Sequence, residues 1–241
     1  MANPVDRVAI ADVSVVVMKT RQACLQRVAA CVLSLAAPLG EAEVIEAPFD
    51  KEVAGAVTKW LDENTAGLVA IYQEIHAHPE LSLQEHKTAA KLAGALGDAG
   101  FQVAEGVGGT GVVAVMANGP GPTLLIRGDM DALPIAEKTG LPYASKEDGV
   151  MHACGHDAHV AILMAVAENL ASVKDELPGT VKFIFQPAEE GPSDYVYKGE
   201  QHFGGRLLVD EGVLKNPGVD AIFGLHVTSK APTGIISYRT G

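Results

Sequence analysis

The chain predicts an α/β fold built on a mixed, largely parallel sheet with helices on both faces. Two observations carry this. Helical and strand-like periodicities alternate along the chain after residue 50, and the strand-like runs are short and apolar, as in strands covered on both sides. A chain of 241 residues, 48% hydrophobic and 20% charged, is long enough to bury a core and holds one domain or part of a second.

Residues 1–17 read as an upstream extension. From Met18, MKTRQACLQR is a basic lead, VAACVLSLAAPLG is an apolar run of export-signal length, and Gly40-Glu41-Ala42 is a small-x-small cleavage site, so residues 18–42 read as a signal peptide and 43–241 as the mature chain. The expected location is therefore periplasmic or secreted, and cytoplasmic if the segment is not a signal. Removal of the signal takes Cys24 and Cys31 with it and leaves Cys154 as a lone thiol.

Asp50 caps a predicted helix through residues 53–77, which His78-Pro79 ends because the residue before proline is pushed out of the helical region. Ser82-Leu83-Gln84-Glu85 has the form of a capping box for a helix over 86–100, closed by Gly100. Strands follow at 101–107, 111–117 and 123–129, with NGPGP between the last two predicting an antiparallel hairpin. A helix over 159–174, a buried strand over 179–188, a helix over 204–214 and a second buried strand over 219–227 complete the series. The polar, glycine-bearing stretch 192–205 has two readings, a border of the substrate entrance and a solvated loop. No membrane span is expected. The formal charge of −12, with no Lys/Arg stripe, excludes nucleic acid as a partner.

Four polar clusters adjoin these elements: Arg127-Gly128-Asp129-Met130-Asp131, Cys154-Gly155-His156-Asp157, Glu189-Glu190 and His226. The carboxyl ends of strands line the ligand crevice of an α/β sheet, so the clusters are expected to converge. Singly, each has a bland reading as a turn, a cap or a satisfied histidine. Together they offer a thiolate, two imidazoles and several carboxylates, the ligand mix of zinc or another divalent transition metal.

HPELSLQE, RGDMDALP, MHACGHDAH, FQPAEEG and AIFGLHV, in this order and at these separations, resemble the hippurate hydrolase and indole-acetyl-amino-acid hydrolase branch of the aminoacylase and carboxypeptidase metallopeptidases, over roughly residues 55–241. The resemblance implies a zinc-peptidase-like catalytic domain with two divalent ions, zinc or manganese foremost and cobalt or nickel as alternatives. It also implies cleavage of the amide bond in N-acyl or N-aroyl amino acids or short peptides. Cys154 is then the ligand shared by both metals, His156 and His226 complete one, Glu190 binds the other, and Glu189 is the general base. Asp131 is the residue that orients a ligand, with Asp129, Asp157 and His159 as further candidates for that task. His152 and His159 support loop and helix, although the spacing from His156 leaves His159 open as a direct ligand. His76, His78, His86 and His202 are assigned no chemistry. The chain stops where such relatives begin an inserted dimerisation and lid domain, so the resemblance implies a catalytic domain truncated before that insertion and a homodimeric parent. Two other readings stand beside this one: a cysteine hydrolase using Cys154 with His156, which leaves Glu189-Glu190 unexplained, and a metal-binding module without turnover.

Overall fold

The computed structural model describes residues 12–17, 51–192, 202–230, 232 and 235–240. The expected export signal at 18–42, the expected Asp50 cap and most of the stretch 192–205 lie outside these residues.

Helix α1, Lys51–Ala77, ends against His78-Pro79 as the sequence predicts. Helix α2, His86–Asp98, buries Thr88, Ala89, Leu92, Ala93 and Leu96, a stripe at helical spacing. Gly100, at φ +91, turns the chain so that the N–H of Phe101 returns to the Leu96 carbonyl at 3.0 Å. The expected capping box does not form. Glu80 caps this helix instead, accepting from Lys87 N at 3.1 Å and Thr88 N at 2.8 Å, because Ser82 and Glu85 are drawn inward to other partners.

The strands are β1 Asp12–Val17, β2 Gln102–Val107, β3 Gly111–Asn118, β4 Thr123–Asp129, β5 Gly179–Gln186, β6 Ala221–Gly224, β7 Val227–Thr228 and β8 Ile236–Thr240. They form one sheet in the order β2-β3-β5-β4-β6-β1-β7, with β8 on β1. The sheet is mixed. Its centre, β5-β4-β6, is parallel and so is β1-β8, whereas β2-β3, β3-β5, β1-β6 and β1-β7 are antiparallel, a smaller parallel share than the sequence suggests. Residues 12–17, read above as an extension, contribute a strand to it.

The predicted β3–β4 hairpin is corrected by the structure. The NGPGP turn reverses the chain, but β5 lies between the two strands, antiparallel to β3 and parallel to β4. Four linking residues reach up to about 13 Å, which spans two strand spacings of roughly 4.8 Å each. β5, buried at seven of its eight residues, takes the central seat that is covered on both faces.

Helix α3, His156–Ser172, packs on one face of the sheet together with α1 and α2. Alternation decides the two faces. Val112, Ala114, Leu124, Ile126, Phe183 and Phe223 point into the larger core under these helices. Val113, Leu125 and Ile184 point the other way, against Leu208 of the short helix α4, Gly204–Asp210, and Val213. Burying each of the valine, leucine, isoleucine and phenylalanine side chains contributes about 1.5–3 kcal/mol. Among the described residues no helix is long and apolar enough to cross a membrane.

Candidate metal centre

The three parallel central strands end on one edge of the sheet, and that alignment assembles the site. Asp129 closes β4, Gln186 closes β5 just before Pro187-Ala188-Glu189-Glu190, and Leu225-His226 follows β6. The first residue of α3, His156, meets them there. Gly155 is required at that corner: it sits at φ +84, and a Cβ on it would stand 2.3 Å from Cγ2 of Val227.

Hydrogen bonds fix the imidazoles. His156 is fully buried and its Nδ1–H donates to Oδ1 of Asp131 at 3.1 Å, leaving Nε2 as a lone pair. That Nε2 has no hydrogen-bond partner among the described residues; it lies 3.6 Å from Oδ1 of Asp129, 3.9 Å from Oε1 of Glu190 and 4.0 Å from Oε2 of Glu189. His226 donates from Nδ1 to the Val227 carbonyl, so its Nε2 is likewise a lone pair, 3.5 Å from Sγ of Cys154. Donor atoms of Cys154, His156 and His226 lie within 4.8 Å of one another, as do those of His156, Glu189 and Glu190. Ligand bonds of about 2.0–2.3 Å in tetrahedral geometry put donors roughly 3.5 Å apart, so the Cys154–His226 separation suits one ion. An orphaned, buried imidazole lone pair facing a thiol and two carboxylates is the donor chemistry of a divalent transition metal. Burial, then the neighbouring Glu190 carboxylate, then Asp129 and Glu189 push the Cys154 thiol up to about 12, so this site stabilises a thiolate only beside a cation.

Asp131 joins three separate motifs. Besides His156, its carboxylate accepts the Ser82 hydroxyl at 2.7 Å and the Glu190 backbone N–H at 3.0 Å, both on Oδ2. Burial works against this charge, but the three hydrogen bonds hold the carboxyl below the usual aspartate range. The turn bearing the glutamates is fastened by Glu85, a buried carboxylate that accepts the Ala188 N–H at 2.8 Å and the Thr110 hydroxyl. Ala188 is at φ +49, an unusual conformation for alanine that this bond helps to hold.

Further candidates sort by their partners. His159 accepts the Val227 N–H on Nε2 at 2.8 Å and therefore donates from Nδ1 to Asp129, 2.5 Å away; with both nitrogens engaged, it does not serve as a direct ligand. Asp129, also paired with Arg127 at 2.6 Å, thus acts through His159 on the backbone next to His226. Asp157 turns away from the centre to Nδ1 of His76 at 2.6 Å. His76 is a correction to the sequence reading: it is buried between Asp157 and Glu137, and its pKa is raised, first by the Asp157 hydrogen bond. His78 bonds the Glu74 carbonyl, His86 is exposed and His202 pairs with Asp210 at the surface. His152 is buried, and burial lowers its pKa to about 4. Ser82, Glu85 and His76 were missed as site supports; the S-x-x-E pattern was a signal, but local rules assign it to a helix cap.

Residues 125–241 match Peptidase family M20/M25/M40. The chain belongs to this family. Among curated relatives, thermostable carboxypeptidase 1 of Saccharolobus solfataricus is 42% identical over 177 residues, covering 72% of this chain and 42% of that protein. N-acetylcysteine deacetylase of Bacillus subtilis is 43% identical over 176 residues, with 72% and 43% covered. The crystal structure of the Bacillus subtilis YXEP protein, a dinuclear metal-binding peptidase of family M20, matches with a TM-score of 0.62 at 42% identity, over 71% of this chain and 45% of that one. The chain spans less than half the length of these relatives.

Proposed function

We propose that the protein is a metal-dependent amidohydrolase of the M20 type, cleaving the amide bond of N-acyl or N-aroyl amino acids or short peptides. The observation that carries this reading is the buried, unpartnered Nε2 of His156, set as a lone pair by Asp131 and facing Cys154, Glu189 and Glu190. Cys154, His156 and His226 would hold one divalent ion, zinc or manganese in the first place and cobalt or nickel otherwise; Glu190, with Cys154 shared, would hold a second. A divalent ion bound there supplies Lewis-acid polarisation of the amide carbonyl and a water acidic enough to attack near neutral pH.

The residues divide the remaining work. Glu189 has 37% of its side chain exposed and lies 4.0 Å from His156, so its carboxylate can reach an incoming water, take its proton and return it to the leaving amine. Glu190 is more buried, at 24%, and its backbone is tied to Asp131, which suits a ligand that must not move. Asp131 holds the tautomer of His156, and the Val227 carbonyl holds that of His226. The cysteine-hydrolase alternative is disfavoured, since the surroundings of Cys154 raise its pKa and a nucleophilic thiol needs the reverse. Export is proposed from the basic lead and apolar run at 18–40, and a homodimer from the family resemblance.

The test is hydrolysis of N-acyl amino acids, with metal content measured in parallel. Removal of metal by a chelator abolishes turnover and re-addition of zinc or manganese restores it. Turnover that survives complete metal removal refutes the proposal.

A further inference from the structure

His152 and the cavity between α1 and α3 have no role in the chemistry above. The cavity, about 920 Å³, opens onto the metal centre, because Cys154 and His226 line it. Its walls are largely apolar: Leu61 and Leu68 come from α1, and Ala161, Ile162 and Ala165 from α3. A space of this size suits a medium-chain or aromatic group far better than an acetyl.

Charge decides which half of an N-acyl amino acid fits. Among the described residues no lysine or arginine lines the cavity, while Asp62, exposed at its edge, does, so the half bearing a free carboxylate is repelled and the acyl half is not. The buried His76 is engaged by Asp157 and Glu137. The buried His152 is not. It is 4% exposed, it lines the cavity, and neither ring nitrogen has a partner among the described residues. An imidazole in any protonation state presents at least one N–H donor, and a buried donor without an acceptor is a cost that a bound ligand oxygen removes.

We propose that this cavity is the pocket for an apolar, medium-chain or aromatic acyl group, and that His152 is a positioning residue whose N–H donates to an acceptor oxygen of the bound acyl amide. The identity of the ligand rests on the amidohydrolase reading; the pocket and the unpartnered histidine do not.

The test uses the full 241-residue chain loaded with zinc and three probes: N-acetyl-, N-hexanoyl- and N-benzoyl-alanine. Calorimetric affinity and turnover are read for each. Affinity is expected to rise about fourfold per added methylene from acetyl to hexanoyl. Thr65→Trp, a substitution on the exposed rim of the cavity, removes that gain. His152→Phe weakens hexanoyl and benzoyl binding about tenfold, the scale of one hydrogen bond, and His152→Gln restores part of it while circular dichroism stays that of the wild type. A flat series, or one that Thr65→Trp leaves unchanged, overturns the pocket; wild-type affinities in His152→Phe overturn the role of His152. Graded binding leaves the pocket standing whether or not this chain turns the probes over, whereas chelator-sensitive turnover with a flat series supports the hydrolase reading and overturns the pocket.

Discussion

Asp131→Asn separates the organisation of the centre from the stability of the fold. The carboxylate accepts three hydrogen bonds, two on Oδ2 and one on Oδ1. An asparagine has one acceptor and one donor face. The Glu190 N–H cannot turn away, so the carbonyl oxygen takes the place of Oδ2 and the amide NH2 faces Nδ1 of His156. Two donors cannot share a hydrogen bond, and His156 must move its proton to Nε2, the lone pair through which it would bind metal. Loss of such an orienting partner weakens metal binding about 10- to 100-fold, roughly 1.4–2.8 kcal/mol. The fold loses less, because weaker hydrogen bonds to Ser82 and Glu190 are offset by removal of a buried charge. A net change of about 1 kcal/mol moves the melting temperature of the metal-free chain by roughly 2–4 °C. Competition with a chromophoric chelator for zinc gives the affinity, and thermal circular dichroism gives the stability. Wild-type zinc affinity in a folded Asp131→Asn variant refutes the tautomer mechanism.

The adjacent glutamates should part company: Glu189→Gln keeps its metal and loses about 100-fold or more in turnover, whereas Glu190→Gln loses metal by elemental analysis, and near-wild-type turnover in the first would remove the base assignment. Cys154, the one cysteine of the mature chain if the signal is removed, should resist iodoacetamide in the zinc-loaded protein and react after chelation, and equal rates in both states would argue against ligation. His76 has a raised pKa in the fold, so its pairing with Asp157 contributes fully below about pH 6.5 and is lost as pH rises through the elevated value. Denaturant titration of the metal-free chain should show stability falling over that range, and His76→Gln should flatten the fall while destabilising the chain by about 3 kcal/mol, since Asp157 stays buried without its cation; an unchanged pH profile in the variant would rule out His76 as its source.

The centre was legible because chemistry in an α/β sheet collects where strands stop. Cys154, His156, Glu189, Glu190 and His226 could be named from residue type and place along the chain, and β4, β5 and β6 bring them to one edge. What escaped were pairings that only tertiary contact decides. Ser82 and Glu85 satisfy a local rule for a helix cap, yet a buried Asp131 and the Ala188 N–H compete for them and win. His76 looks like any histidine near a helix end until α3 presents Asp157 to it. NGPGP signals a reversal correctly but cannot say that a strand more than 50 residues later will be inserted between its two arms.

That insertion also sets when the centre can exist during folding. β3 and β4 cannot close on each other, so the middle of the sheet waits for β5, a contact between distant parts of the chain, which is a slow kind of contact to make. Asp131 and the Glu189-Glu190 turn reach each other only after β5 has zipped against β4. Metal captured by the full ligand set therefore reports a finished sheet, and a partly folded chain offers an ion only local pairs, Cys154 with His156 or Glu189 with Glu190.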